Sequence, residues 1–267
     1  MKIAIIQLNS KLDPKENLKQ IHDQINLAKK SSIEPIEAVF LPEVFYSISN
    51  GQVTTPYLIK GENEHYLAIQ NIAIKHGVYL LGGSAASEVN GKILNRAYNF
   101  SPTGELISFY DKIHLFAVNL SGGSKSLKIN EADIYGHGSK ASDFKISDWH
   151  FGSSICFDVR FPELYREYFK RGCNVLTIPA AFTVPTGQAH WSILLRARAI
   201  ENQSYVIAVG QWGKHNEKIE TYGHSMVIDP WGKIICEIES GVGFAICDLN
   251  FDHLTKIKGR MDMQPRF

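Results

Sequence analysis

Strand-length apolar runs alternate with helix-length segments from Ile3 to Leu249 without a break. No other feature constrains the fold as strongly, because such alternation calls for an α/β arrangement in which sheets are covered by helices. Residues 3–8 form a β-branched run consistent with a buried strand. Asp13-Pro14 reads as a helix start, an N-cap followed by proline, and Leu18, Ile21, Ile25 and Ala28 recur at helical spacing. Strands are expected at 38–41, 78–81, 93–100 and 106–110, with a helix at 64–76 closed by Gly77. Asn90-Gly91 and residues 102–104 supply turns. In the second half, strands are expected at 150–156, 175–178, 205–209, 225–228, 233–237 and 244–249. Helices are expected at 162–171 and 188–202. The stretch 111–142, rich in Gly, Ser and Lys, lacks periodicity, and a loop that long inside a compact domain is usually disordered or functional.

No linker or shift in composition divides the 267 residues, so one domain over 1–267 is expected. Lys and Arg number 28 against 27 Asp and Glu, a formal net charge of +1, which argues against nucleic acid or an anionic membrane surface as the main partner. No apolar run approaches the roughly 20 residues a membrane span needs. The first residues do not read as a signal segment. The four cysteines form no CxxC pair, and the ten histidines show no HxH or HxxxH spacing, so neither a disulfide framework nor a metal site is indicated. A cytoplasmic protein is the reading that remains.

Three expected strand ends carry reactive side chains. Residues 38–41 run into Pro42-Glu43, the strand before the long loop ends at Asp111-Lys112, and residues 152–155 run into Cys156. Ligands of open α/β sheets bind just outside the carboxyl ends of strands. A thiol there can serve as nucleophile, a carboxylate as its base and a lysine as the cation that meets a developing oxyanion. Each has a plainer reading alone: a buried small hydrophobe, a surface acid, a solvated loop lysine. Their coincidence at strand ends raises the functional reading for all three together.

Leu41-Pro42-Glu43, Lys112-Ile113-His114-Leu115 and the run from Cys156 through Phe157, Asp158, Val159 and Arg160 to Leu164 resemble the three signature segments of the nitrilase superfamily. The likeness continues through Pro179-Ala180-Ala181-Phe182 and Tyr222-Gly223-His224-Ser225, and covers essentially the whole chain. It implies a four-layer αββα sandwich, homodimerisation into eight layers, and carbon–nitrogen hydrolysis by a Glu43-Lys112-Cys156 triad without cofactor or metal. Glu131 is the best match to a second family glutamate beside the lysine. Phe157 stands where relatives carry Tyr or Trp, and its N–H with Lys112 is expected to form the oxyanion hole. Arg160, Phe182 and Thr183 are candidates for substrate binding, Arg160 as a carboxylate clamp or as an ion-pair partner of Glu163. His114 is read as a positioning residue, since the triad already has its base.

The resemblance implies a small linear amide as substrate, cleaved through a Cys156 thioester. Two sister groups compete: deaminated glutathione amidases, which are favoured, and ω-amidases acting on α-ketoglutaramate or 2-oxosuccinamate. A nitrilase is a further alternative, as is a papain-like Cys-His hydrolase. From another class comes a catalytically silent binding protein on the same fold.

Overall fold

A computed structural model describes residues 1–120 and 127–264. In chain order the first half comprises β1 (Lys2–Gln7), α1 (Pro14–Ser31), β2 (Ala38–Phe40), β3 (Ile59–Lys60), α2 (Glu64–His76), β4 (Tyr79–Leu81), β5 (Ser84–Val89), β6 (Lys92–Phe100) and β7 (Leu106–Asp111). A hairpin, β8 (Ala117–Leu120) and β9 (Leu127–Asn130), follows. The second half comprises β10 (Ser142–Ile146), β11 (Trp149–Ser153), α3 (Pro162–Lys170), β12 (Val175–Ala180), α4 (Val184–Asn202), β13 (Tyr205–Gly210), β14 (Trp212–Lys214), β15 (Glu220–Tyr222), β16 (Ser225–Ile228), β17 (Ile234–Ile238), β18 (Gly243–Asp248) and α5 (Phe251–Lys258).

Two large sheets result. One runs β18-β1-β2-β4-β6-β5-β3, with β7 also paired to β6; the other runs β10-β11-β12-β13-β16-β17. Their central strands are apolar on both faces because each face meets a different layer. In β1, Ile3 and Ile5 join a core with Phe40, Phe151, Val175, Ile207 and Val227, which lies between the sheets. Ala4 and Ile6 turn the other way, onto Ile21 and Ile25 of α1 and Ile69 and Ile72 of α2. In β13, Ile207 and Val209 face the inter-sheet core, while Val206 and Ala208 pack with Tyr165 of α3 and Leu195 of α4. The period-two alternation of side chains thus builds three apolar layers between four structural ones, the αββα sandwich that the resemblance implies.

Local chemistry fixes the ends. Asp13 accepts from Lys15 N ahead of Pro14, and Gly77 closes α2 in the left-handed conformation at φ 58°. Beyond β3, β10, β14, β15 and α5, which the sequence pattern does not announce, the structure departs from the sequence expectation in three further places. The stretch 111–142 is not all loop: it carries the β8–β9 hairpin, whose connection lies outside the described residues, and a single turn at Glu131–Asp133. The strand β5, of small and polar residues, pairs with β6 across Asn90-Gly91; its apolar signal is weak because Ala and Ser fill its buried positions. Helix α4 starts at Val184 rather than at 188, since Pro185 is tolerated in a first turn and Gly187 lies flush against Tyr222.

Gly152 shows how tightly the site's framework is packed. A Cβ built there would lie 2.6 Å from Cγ of Tyr168, whose hydroxyl donates to Ser153 O at the end of β11. Gly152→Ala is expected to lower stability by about 1–3 kcal/mol, the usual cost of overpacking, read as a lower urea midpoint at unchanged slope.

Candidate active site

The three reactive residues sit just beyond the ends of three strands. Glu43 follows β2, Lys112 follows β7, and Cys156 lies three residues after β11, opening a 3₁₀ turn over Cys156–Arg160. Lys112 is the centre. Its side chain is fully buried, and its ammonium donates to Glu43 Oε1 at 2.8 Å and to Glu131 at 2.9 Å (Oε1) and 2.7 Å (Oε2). Burial alone would depress the lysine pKa, but the two carboxylates, Glu131 and Glu43, overcome it and hold the ammonium well above the ordinary lysine range.

Each carboxylate is in turn held by the fold. Glu43 also accepts from Asn95 Nδ2 at 2.9 Å and from Ala181 N at 2.8 Å, so β6 and the end of β12 both grip it. Glu131 accepts from Phe116 N at 2.7 Å, at the base of the β8–β9 hairpin. The same two residues exchange a second bond there, Glu131 N to Phe116 O at 2.8 Å. Burial pushes the Glu131 carboxyl above the ordinary carboxylate range, although Lys112 pulls the other way.

Cys156 has φ 50° and Val44, next to Glu43, has φ 45°, left-handed values that cost side-chain-bearing residues about 1–3 kcal/mol each. For β-branched Val44 such a conformation is a genuine outlier. Its neighbours enforce it: Val44 N donates to Ser84 Oγ at 2.9 Å and Phe45 N to Ser84 O at 3.1 Å. The Cys156 turn is enforced by Asp158. This fully buried carboxylate accepts from Ile155 N at 2.9 Å, from Tyr110 OH at 2.7 Å and from His114 N at 2.9 Å, and lies 2.7 Å from His114 Nδ1. The His114 ring stacks on Phe161, which fits a positioning role and not that of a base.

The Cys156 thiol is only 7% exposed, and burial, then the Glu43 charge, raise its pKa well above the ordinary value against the pull of Lys112. Two carboxylates face one ammonium, so a thiolate is not stored here. Phe157 lies in the first turn of its short helix, where backbone N–H groups lack intrahelical acceptors and are free to meet an anion.

Glu43, Glu131, Cys156, Phe157, Arg160, Phe182 and Thr183 all line one cavity of about 500 Å³. Lys112 lies behind that lining, bonded to Glu43 and Glu131, which form part of it. Arg160 does not pair with Glu163; among the described residues its contacts are His190 Nδ1 at 3.2 Å and the rings of Phe157 and Phe182. Its Nε is buried without a hydrogen-bond partner among the described residues, and burial lowers its pKa.

The Carbon-nitrogen hydrolase family pattern matches residues 2–258. The chain belongs to the carbon-nitrogen hydrolase family. It is 38% identical over 265 residues to a deaminated glutathione amidase of Synechocystis, covering 97% of this chain and 94% of that protein. It is 32% identical over 257 residues to omega-amidase NIT2 of Danio rerio, covering 96% and 91%. Its fold matches Nit3 of Saccharomyces cerevisiae, a member of branch 10 of the nitrilase superfamily, with a TM-score of 0.88 and 28% identity over 100% of this chain and 96% of that one.

Sequence reasoning about this hydrolase missed Asn95 and Ser84, which hold Glu43 and its neighbour from the β5–β6 hairpin; nothing in their local spacing marks them. It also passed over Asp158, although that residue lies inside the cysteine segment. Outside the cavity lining, Asp143, His150 and Cys173 bring potential metal ligands within 4.8 Å of one another, but Asp143 already pairs with Arg171 at 2.8 Å.

The carbon–nitrogen hydrolase site makes an uncommon electrostatic demand. Glu43→Gln removes a negative charge that disfavours the thiolate and leaves the Lys112 charge that favours it. The apparent Cys156 pKa should therefore fall in Glu43→Gln, followed by thiolate ultraviolet absorbance against pH; an unchanged or higher value contradicts the assignment of the charges.

Proposed function

We propose that this hydrolase is an amidase that cleaves a small linear amide through a thioester on Cys156. The observation that carries the reading is the buried Lys112 ammonium, clamped by Glu43 and Glu131 at the wall of the cavity that Cys156 lines. A cysteine held as a neutral thiol needs a base at the moment of attack. Glu43 takes the Sγ proton while sulfur bonds to the amide carbon. The oxyanion that forms is met by the Lys112 ammonium and the Phe157 N–H. One such donor contributes typically about 2.7–4 kcal/mol to the barrier. Glu43 then gives its proton to the leaving nitrogen, the C–N bond breaks, and a thioester remains. Water, deprotonated by the same carboxylate, attacks the thioester and releases the acid and the thiol. Glu131 keeps Lys112 protonated and fixed throughout.

The favoured substrate is deaminated glutathione, a 2-oxo acid whose ω-amide nitrogen carries cysteinylglycine. Three points support it: the name of the Synechocystis relative, a cavity large enough for a peptide-like leaving group, and Arg160, a cation lining that cavity without a carboxylate partner among the described residues. Arg160 would take the 2-oxo acid carboxylate, with Phe182 and Thr183 shaping the wall beside it. The alternative, α-ketoglutaramate, draws support from the Danio rerio relative. Phe116 and Phe157, edge to face at 5.3 Å, narrow the cavity wall in a way that suits a smaller amide.

A single domain over 1–267, a homodimer and a cytoplasmic setting complete the proposal. Exposed apolar side chains on and beside α4, Ile193 at 71% and Trp231 at 50%, suit a subunit contact, and four free cysteines suit a reducing compartment.

Cys156→Ala should abolish product release while leaving the urea midpoint close to that of the parent, because the side chain removed is small. Lys112→Met should lower kcat about a hundredfold or more. Purified protein should release cysteinylglycine from deaminated glutathione with a higher kcat/KM than it releases ammonia from α-ketoglutaramate; the reverse ranking hands the assignment to the ω-amidases.

A further inference from the structure

The exposed rim of the cavity carries a second cation that the chemistry at Cys156 does not use. Lys218 lines the cavity from the turn between β14 and β15, and its ammonium donates to the neutral amide oxygen of Gln52. Among the described residues it has no carboxylate partner; neighbouring Glu217 pairs with Lys214 at 3.2 Å instead. An ammonium kept at a cavity mouth beside a neutral partner has capacity left for an anion.

The rim is built rather than merely exposed. Asn216 Oδ1 accepts from Lys218 N at 2.9 Å and from Ile219 N at 3.0 Å, which pins the turn. Asn216 Nδ2 donates to Ser49 O at 3.0 Å and ties the turn to the loop that follows Glu43. Gly51, at φ 77°, lets the two loops close: a Cβ there would meet Ile219 Cδ1 at 3.3 Å. Asn50 Oδ1 accepts from Gln52 N at 3.0 Å and holds the residue that bears the Lys218 contact. Among the described residues the cavity therefore has a guanidinium without a carboxylate partner near the nucleophile, and an ammonium at its mouth.

We infer that Lys218, oriented by Gln52, forms an outer subsite for a carboxylate on the leaving-group side of the scissile amide, so that the enzyme selects amides with a carboxylate at both ends. The inference rests on the amidase reading of the Cys156 site and deepens it. A 2-oxo acid carboxylate lies toward Arg160, the amide lies at Cys156, and the C-terminal carboxylate of a dipeptide leaving group lies at Lys218. α-Ketoglutaramate has no carboxylate on its leaving group and leaves this subsite empty.

The test compares deaminated glutathione with its C-terminal carboxamide, which differs only in the charge at the far end. The parent enzyme should prefer the free acid about tenfold, mainly through KM, the scale of one charge-assisted hydrogen bond. Raising the salt concentration should shrink that preference. Lys218→Gln should bring the ratio of the two substrates close to one, and Lys218→Arg should restore most of it. Lys218 is exposed, so neither change threatens folding. Equal use of both substrates by the parent, or an undiminished preference in Lys218→Gln, overturns the subsite and leaves the amidase reading standing. Release of product from neither substrate, nor from α-ketoglutaramate, sinks the amidase reading and the subsite with it.

Discussion

A single ammonium, Lys112 Nζ, lies between two carboxylates and out of contact with water, and much of the structure serves to keep it there. Removing one partner of a buried ion pair typically costs about 3–5 kcal/mol, because the other charge is left without compensation. The cluster draws on three distant stretches of chain: the end of β2, the end of β7, and the turn after the β8–β9 hairpin. Its members can meet only once the first sheet and the hairpin are both formed. Two negative charges around one positive charge also set the state of the site, since they favour a protonated lysine and disfavour a thiolate.

The layered core explains how such a cluster tolerates burial. Central strands with both faces covered give a framework that excludes water and leaves little room to relax. Against that framework the fold can hold side-chain-bearing residues in left-handed backbone conformations, and Val44 and Cys156 are the ones at the reactive set. Each stands beside or within the reactive set: Val44 is fixed by Ser84 on β5, and the Cys156 turn by Asp158 within it, which Tyr110 and His114 hold from another part of the chain. The strain turns the thiol out of the strand direction toward the cavity wall it shares with Glu43.

Charge is then distributed along the cavity. The glutamates and Lys112 occupy the reacting end, while Arg160 and Lys218 are cations without carboxylate partners among the described residues. Half-buried Arg160 sits among aromatic rings, where a guanidinium stays polar and available. An anionic substrate would find compensation at both cations without disturbing the Lys112 clamp.

The sequence by itself determined the alternation of strands and helices, and with it the class of fold, because apolar period and end signals such as Asp13-Pro14 and Gly77 act over a few residues. It also marked Glu43, Lys112 and Cys156, since each stands just past a strand end, and the resemblance of the surrounding segments added Glu131. What it left dark are contacts made across 40 to 167 residues, often through small polar groups: Asn95 and Ala181 N on Glu43, Ser84 on Val44, Asn216 joining the two rim loops. The β8–β9 hairpin and strand β5 were hidden for a related reason, as their residues form strands through pairing partners and not through an apolar pattern of their own. Local chemistry names the reactive atoms; only the packed sheets decide that one ammonium serves two carboxylates and that the thiol beside them stays neutral.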